Sequence, residues 1–296
     1  MKTLNIIGAG KLGRTLGRLW QDRGVFQVGA VCNRSLKSAL AAVRFIGAGK
    51  AASSIGEMPA ADCWLIASGD AQIGSLAEEL SVHLETLSAS PIDAPRPLVF
   101  HCSGALDSQV LASCRSATLA SAHPVHSFAE PARSLETLAG TSVAIEGEAA
   151  AQAELSAAFN ALDCRTLTIA SEHKTLYHAG SVFACNYLTA LMDLSLQCFA
   201  VAGIDEKEAR ALLQPIVLQT ARNNMELGPA ASLTGPIARG DAGTVAKQLE
   251  ALAQTSPLLA ANYRHLGLAC VELARRGNLP KDAAEELNAL LNGSAQ

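Results

Sequence analysis

Short apolar runs alternate with stretches of helical periodicity over residues 1–170. The runs predict six β-strands, at 4–7, 28–32, 63–67, 98–102, 142–146 and 166–169, with helices between them, notably at 11–23 and 35–43. This alternation is typical of βαβ units on a parallel sheet. After residue 170 the strand pattern stops, and amphipathic helices separated by Gly-Pro and Gly-Asn turns follow. The pattern predicts an α/β domain at 1–170 and an all-α domain at 171–296.

Composition and charge restrict the class of protein. Of the 296 residues, 49% are hydrophobic and 17% charged, which excludes a disordered chain. The formal net charge is −4 and no Lys/Arg run occurs, so we expect no nucleic-acid partner. Eight scattered cysteines without a Cys-x-x-Cys pair indicate core thiols in a reducing compartment, and no metal site is expected. The sequence begins without the pattern of a signal peptide, and we expect a cytoplasmic protein.

One segment, at 180–203, is apolar enough to suggest a membrane span. Asn186, Asp193 and Gln197 interrupt it, and polar groups are expensive in hydrocarbon. We therefore predict a buried helix and no membrane partner. Because the segment is apolar all round, it is also a candidate for burial between the subunits of a homodimer.

A glycine-rich turn follows the first predicted strand and opens the first predicted helix. Gly8, Gly10 and Gly13 match G-x-G-x-x-G in the run Gly8-Ala9-Gly10-Lys11-Leu12-Gly13. In such a turn the first glycine permits a sharp bend, the second lets the backbone approach a pyrophosphate, and the third allows close helix packing. Free N–H groups at the helix start bind the anion. The context predicts a doubly wound Rossmann domain that binds a dinucleotide, and a structural glycine turn is the alternative.

The choice between the two nicotinamide cofactors depends on the residue about 20 positions beyond this turn, where an acid holds the ribose 2′-OH of NAD. That position is Asn33, and Arg34 and Ser35 follow it. A guanidinium and a hydroxyl suit a 2′-phosphate instead, so NADP(H) is the predicted cofactor. The alternative makes Arg34 a solvated loop charge and Ser35 the N-cap of the next helix.

Two serines follow later strands at the carboxyl edge of the predicted sheet. Ser68 comes after the strand at 63–67, and Ser103 comes after the strand at 98–102. Ligands of open α/β sheets bind at this edge, so both serines are candidates for hydrogen bonds to cofactor or substrate. Either one is equally well explained as a turn residue.

Taken in order, these motifs resemble a known family. Further parts of the resemblance are Ser121-Ala122-His123-Pro124-Val125-His126-Ser127-Phe128, the stretch from Tyr177 to Asn186, and Leu233-Thr234-Gly235-Pro236-Ile237-Ala238-Arg239-Gly240-Asp241. The chain resembles the bacterial Rossmann-like proteins that carry a C-terminal domain of unknown function, number 2520. These are similar to ketopantoate reductases, β-hydroxyacid dehydrogenases, pyrroline-5-carboxylate reductases and deazaflavin-dependent NADP reductases. The resemblance implies an NADP-dependent oxidoreductase acting on CH–OH or CH–NH groups.

The first long helix of the second domain departs from its relatives. In β-hydroxyacid dehydrogenases and ketopantoate reductases it presents a catalytic Lys followed four residues later by Asn, whereas here Lys174, His178 and Asn186 follow one another. Lys174 and Asn186 are 12 residues apart, about 18 Å along a helix, so one small substrate does not easily touch both. Proton donation falls to His178, or to Lys174 if the helix begins late. Asn186 is the third candidate catalytic residue, because a polar amide in so apolar a helix needs a partner and a ligand is a natural one. The alternative makes His178 and Asn186 core polar groups and Lys174 a solvated side chain.

On the substrate side, Thr234 and Arg239 join Ser103 as candidate binding residues, because Arg239 is suited to clamp a carboxylate. Pairing of Arg239 with Asp241 is the structural alternative, and His123 is assigned no chemistry. The sequence thus predicts an NADPH-dependent reductase that transfers hydride to a carbonyl, for example of a 2-oxo acid such as ketopantoate, or to an imine of a small carboxylate. A non-catalytic NADP(H)-binding sensor or scaffold is the alternative.

Overall fold

The computed structural model describes residues 1–87 and 95–293. Its first compact unit, Met1–Cys185, is built on one eight-stranded sheet with the order β3-β2-β1-β4-β5-β6-β7-β8. Neighbouring strands are parallel except β6 and β7, which are antiparallel. The strands are Lys2–Ile7 (β1), Phe26–Cys32 (β2), Lys50–Ala52 (β3), Cys63–Ile66 (β4), Leu98–His101 (β5), Thr118–Pro124 (β6), Ser142–Gly147 (β7) and Arg165–Thr168 (β8).

In the part of the first unit that the structure describes, five α-helices and three 3-10 turns accompany the sheet before the long helix α6 (Lys174–Val201) begins. The helices are Lys11–Asp22 (α1), Leu36–Ile46 (α2), Asp70–Leu87 (α3), Pro131–Thr137 (α4) and Ala149–Asn160 (α5), and the turns are Ile55–Glu57, Ser108–Leu111 and Ser171–His173. One core cluster centres on Trp20 of α1, which is fully buried and meets the rings of Phe26, Phe100 and Phe159 edge-to-face. Its indole N–H donates to the Ala158 carbonyl at 3.0 Å, so the polar atom is satisfied inside an apolar core.

The predicted fold class, an α/β Rossmann domain followed by helices, is confirmed. All six predicted strands are present, but β3 and β6 were missed. β3 has only three residues. β6 carries buried Ser121 and half-buried His123, so it lacks the apolar run by which the other strands were found.

The second unit, Asn186–Gln296, is helical throughout the part that the structure describes. Its small core is formed by Val245, Val271, Leu287 and neighbouring aliphatic side chains. Its helices are the later part of Lys174–Val201 (α6), Glu206–Leu227 (α7), Pro229–Ser232 (α8), Ala242–Thr255 (α9), Pro257–Arg276 (α10) and Lys281–Leu291 (α11).

The division between the units lies within α6, between Cys185 and Asn186, and not at the predicted boundary near residue 170. The difference has a clear physical reason. The first turns of α6 carry Lys174 and Tyr177, which bond to Ser121 and His123 of β6. These turns therefore belong to the unit that contains the sheet.

Helix α6 is largely exposed in the single chain. Phe183, Tyr187 and Leu188 are 70%, 51% and 44% exposed, and α7 exposes Ile216 and Met225. The prediction of a buried helix at 180–203 is thus wrong for the single chain, because the apolar pattern continues round faces that the chain itself does not cover. Among the described residues, one helix, Ser171–Val201, meets the length and composition of a membrane span.

Candidate functional site

The site lies where the sheet changes its winding direction. β1 lies between β2 and β4, and ligands of open α/β sheets bind at the carboxyl ends of such strands. A cavity of about 690 Å³ opens there, which we call the large cavity. Its lining includes the ends of β1 and β2, the serines at 53–54, and the loop Ala67-Ser68-Gly69.

The glycine turn has the shape that a pyrophosphate requires. Gly8 has φ +84°, and a Cβ there would lie 2.9 Å from the Ser68 nitrogen, so a side chain is excluded. A Cβ on Gly13 would lie 2.9 Å from the Ala67 Cβ. Gly10 caps α1 without a side-chain hydrogen bond, which leaves N–H groups of the helix start available to an anion.

The loop after β2 supplies the groups predicted to select the cofactor. Arg34 and Ser35 both line the large cavity. Asn33 has a second role, because its Oδ1 accepts a hydrogen bond from the Ala9 N–H at 2.6 Å. Ser35 is also the N-cap of α2 and accepts from the Ser38 N–H, so both proposed roles of Ser35 are compatible.

Arg14 lines the same cavity and was missed from the sequence. Its Nε donates to the Gly10 carbonyl at 3.0 Å, which holds the guanidinium over the glycine turn. A cation in the first turn of a helix is unfavourable unless an anion is near. The absence of an acid from that turn of α1, together with two basic residues there, was the available signal. The last three residues of the glycine-rich run predicted to bind the dinucleotide, Lys11, Leu12 and Gly13, do not line the large cavity.

A second cavity of about 260 Å³ adjoins the first, because Ala67 and Ser68 line both. We call it the histidine cavity. Ser68 thus lies at the junction of the two cavities, in keeping with its predicted place beside cofactor or substrate. The further lining is Leu12, Asp70, Cys102, Ser103, Gly104, His123, Pro124, His126, Phe128 and His178.

Two histidines of this lining, His123 and His178, pack edge-to-face with their ring centroids 5.6 Å apart. Tyr177 on α6 places its hydroxyl 3.1 Å from Nδ1 of His123. Burial, and secondarily the nearby His178 and Lys174, lower the pKa of His123 to about 4, so its ring is neutral at neutral pH. His123, assigned no chemistry from the sequence, therefore lies at the centre of the candidate site.

His178 approaches the loop after β5 so closely that only glycine fits there. A Cβ on Gly104 would lie 2.3 Å from Nδ1 of His178. This Nδ1 is buried and finds no hydrogen-bond partner among the described residues. A buried polar atom in that condition costs free energy unless a water or ligand satisfies it. The predicted proton donor thus belongs to the lining of the histidine cavity, while its unbonded Nδ1 packs against Gly104.

Ser103 lines the histidine cavity but does not offer the hydrogen-bond donor that was predicted. Its hydroxyl donates to Asp70 Oδ2 at 2.8 Å and accepts from the N–H groups of Ala105 and Leu106. Its backbone N–H donates to Nδ1 of His101, which is fully buried. Because a hydroxyl has one hydrogen, Ser103 fixes Asp70 and the loop instead of donating to a ligand.

Lys174 is not at the cavity surface, which corrects its place among the candidate proton donors. It is 1% exposed, and its Nζ donates to the Ser121 hydroxyl. Ser121 donates in turn to Glu146, which also accepts from Ser108 and Ser171. Burial lowers the pKa of Lys174, and the Glu146 charge opposes that effect. Lys174 therefore joins α6 to the sheet in a satisfied polar network.

Three predicted site residues lie in the second unit. Asn186 and Arg239 are exposed, and Thr234 lines a separate apolar cavity of about 290 Å³ beside Tyr263. Asp241, the suggested partner of Arg239, caps α9 by accepting from the Thr244 N–H at 2.9 Å. The roles of these three residues toward a substrate stay predictions.

Comparison with protein families supports the interpretation of the sequence motifs. Residues 141–270 match the family model described as a domain of unknown function, DUF2520. This segment of the chain is therefore a DUF2520 domain, and the resemblance stated from the motifs is confirmed. None of the curated proteins matches the chain.

Solved structures share the fold along almost the whole chain. A Thermotoga maritima protein is 24% identical with a TM-score of 0.70, covering 93% of this chain and 99% of its own. A Bacteroides fragilis protein assigned as an NADP oxidoreductase is 20% identical with a TM-score of 0.72, covering 93% and 97%. Pyrroline carboxylate reductase of Plasmodium falciparum, solved with NADP bound, is 12% identical with a TM-score of 0.58, covering 98% of both chains. At these identities the likeness establishes the fold.

Proposed function

We propose that the protein is an NADPH-dependent reductase that transfers hydride to a carbonyl or imine group of a small carboxylate. One observation carries the proposal. The large cavity, with its glycine turn and arginines, adjoins the histidine cavity through Ala67 and Ser68. A dinucleotide bound along the first therefore reaches the second with its far end.

The large cavity fits NADP(H) better than NAD(H). The glycine turn and the start of α1 suit the pyrophosphate, and Arg34 with Ser35 suits the 2′-phosphate. No acid follows β2, where NAD-binding domains place one. NADPH supplies the hydride, and the protein supplies orientation and protons. The structures of relatives solved with NADP agree with this choice for their own chains.

Proton delivery is the part of the reaction that these residues perform. Reduction of a carbonyl leaves an alkoxide that must be protonated, and a donor within hydrogen-bond reach accelerates that step. His178 lines the histidine cavity, its ring packs edge-to-face on His123, and the Tyr177 hydroxyl lies within hydrogen-bond distance of His123. We therefore assign His178 as the group that bonds the reacting oxygen or nitrogen, with His123 and Tyr177 supporting it.

The substrate carboxylate and the assembly belong to the same proposal. Arg239 remains the proposed carboxylate clamp, with Thr234 and Asn186 as further substrate contacts. A homodimer is supported by the exposed apolar side chains of α6 and α7, among them Leu188, Ile216 and Met225. Light scattering at micromolar concentration is expected to give twice the chain mass, and a monomer would remove the dimer. The cytoplasmic location stays a prediction.

A different class of function, an NADP(H)-binding sensor or scaffold without turnover, is favoured by one observation. Lys174 is buried with Ser121 and Glu146, so this lysine does not occupy the histidine cavity. Titration with NADPH followed by a panel of 2-oxo acids, including ketopantoate, and cyclic imines separates the two. Binding with turnover of at least one panel member supports the reductase, binding without any turnover supports the sensor, and absence of binding contradicts both.

A further inference from the structure

The histidine cavity has a single carboxylate, that of Asp70, in its described lining. Its ionisable lining groups are Asp70 and three histidines, and no lysine or arginine is among the lining residues that the structure describes. Burial lowers the pKa of His123 to about 4 and also lowers that of His126, so neither ring balances the charge at neutral pH. The nearby cation, Lys174, is buried in the network that includes Glu146.

Asp70 is fixed in place but remains available to a ligand. It is the first residue of α3 and is exposed, and a carboxylate there is stabilised by the helix dipole. The Ser103 hydroxyl holds its Oδ2 at 2.8 Å, and Ser103 is itself 6% exposed and bonded to the backbone of two residues. Asp70 makes no ion pair within 4 Å with the side chains described here.

We infer that the reducible group of the substrate is a positively charged carbon–nitrogen double bond, an iminium ion, and that Asp70 recognises its charge. The inference rests on the proposed function and narrows it. A carboxylate attracts an iminium ion but repels a 2-oxo acid, because such an acid carries its own carboxylate on the carbon next to the carbonyl. A substrate carboxylate that lies farther from the reacting carbon is repelled less by Asp70 and is compatible with binding.

The chemistry of the step balances without an added proton. The iminium carbon accepts a hydride from the reduced nicotinamide, forming a C–H bond, while the C=N π pair becomes the lone pair of the nitrogen. The substrate is reduced to an amine and the nicotinamide is oxidised. Since the nitrogen keeps the proton or substituent that gave it its charge, no proton donor is needed during hydride transfer, in keeping with the neutral ring of His123.

Equilibrium binding to the NADP⁺-loaded protein tests the inference without turnover. Pyrrolidine, a cyclic amine that is cationic at neutral pH, serves as the product probe, and oxalate represents the 2-oxo acid. Calorimetry is expected to show that pyrrolidine binds more tightly than oxalate, and that Asp70→Asn weakens pyrrolidine by at least tenfold while oxalate binding is kept or improved. Asp22→Asn, which removes an acid of α1 outside both cavities, is the matched control and is expected to change neither.

Three results of the binding experiment would contradict the inference. Equal pyrrolidine affinity in Asp70→Asn and the unmodified protein, tighter binding of oxalate, or no binding of pyrrolidine would each overturn the inference. NADP⁺ affinity is measured in the same samples. If the unmodified protein does not bind NADP⁺, the proposed function itself is overturned. If it binds NADP⁺ but does not prefer pyrrolidine to oxalate, only the iminium substrate is overturned.

Discussion

The side-chain oxygen of Asn33 accepts a hydrogen bond from the backbone N–H of Ala9 at 2.6 Å. This bond joins the loop after β2 to the glycine turn after β1, so the two parts of the large cavity that would hold a dinucleotide are fixed to each other. Asn33 is thus a positioning residue, and its neighbour Arg34 is left to face the cavity.

The hydrogen bond between Asn33 and Ala9 predicts how a negative charge at position 33 changes the affinity for the two cofactors. Asn33→Asp keeps an acceptor for the Ala9 N–H but adds a negative charge where a 2′-phosphate is expected. We expect the ratio of NADPH to NADH affinity to fall by at least tenfold, with NADH affinity kept. Asn33→Ala removes the bond without adding charge, and we expect it to weaken both cofactors. Fluorescence titrations measure both, and an unchanged ratio in Asn33→Asp would contradict the placement of the 2′-phosphate.

Replacing either arginine of the large cavity is expected to lower cofactor affinity, but in two different patterns. Arg34→Ala is expected to weaken NADPH by about 1 to 3 kcal/mol, the worth of hydrogen bonds to a charged group, and to leave NADH nearly unchanged. Arg14→Ala, beside the glycine turn, is expected to weaken both cofactors alike, since both carry the pyrophosphate. Equal losses of NADPH and NADH in Arg34→Ala would show that Arg34 does not read the 2′-phosphate.

The fold was predictable because the strands that carry it are apolar runs, and the glycine turn has a pattern with one physical explanation. β6 could not be found in this way. Its buried positions include Ser121, whose hydroxyl is satisfied only by Lys174 and Glu146, groups distant in the sequence. The importance of His123 was hidden for the same reason, because Tyr177 and His178 reach it only after α6 packs on β6.

Sequence position was sufficient to bring Arg34 and His178 to the lining of the two cavities, and their roles there stay predictions. The candidate site was not predictable where a third residue occupies the group. Ser103 has a hydroxyl in the right loop, but Asp70 takes its hydrogen. Lys174 is placed in the expected first turn of its helix, yet the polar network around Glu146 draws its ammonium group inward.

Replacing His178 tests whether this residue bonds the reacting oxygen or nitrogen of the substrate. His178→Asn removes the imidazole that lines the histidine cavity. We expect kcat/KM for a neutral carbonyl or imine, which must be protonated during reduction, to fall by a factor of about 10² or more, whereas an iminium substrate needs no proton. NADPH affinity is expected to stay within about threefold, because His178 does not line the large cavity. His265→Asn, an exposed histidine of α10, is the control. Normal turnover in His178→Asn, with folding intact, would place the proton donor elsewhere.

Acid is expected to destabilise the fold through buried His101. Burial lowers the pKa of His101 to about 4. The hydrogen bond between its Nε2 and the Asp107 carbonyl raises this pKa, but by less than burial lowers it. The unfolded chain, with an ordinary histidine pKa, therefore binds the extra proton as the pH falls below about 6.5. The contribution of this residue is complete above that pH and is lost progressively toward pH 4.

Urea unfolding measures this contribution. Between pH 7.5 and pH 5 we expect His101 to account for about 2 kcal/mol of lost unfolding free energy. In His101→Asn the difference between the two pH values should shrink by that amount, whereas His265→Asn should leave it unchanged. A pH dependence that survives in His101→Asn would assign the loss of stability to other groups.

The proposed function requires that hydride passes from NADPH, bound in the large cavity, to a substrate in the histidine cavity. The most direct measurement uses NADPH carrying deuterium at the transferred position of C4, both stereochemical forms being tested, with mass spectrometry of the product after turnover of a cyclic imine. We predict one deuterium in the product for each NADPH oxidised, from one of the two deuterated forms only. NADPH that binds tightly but never passes deuterium to any member of a panel of imines and carbonyl compounds would contradict it.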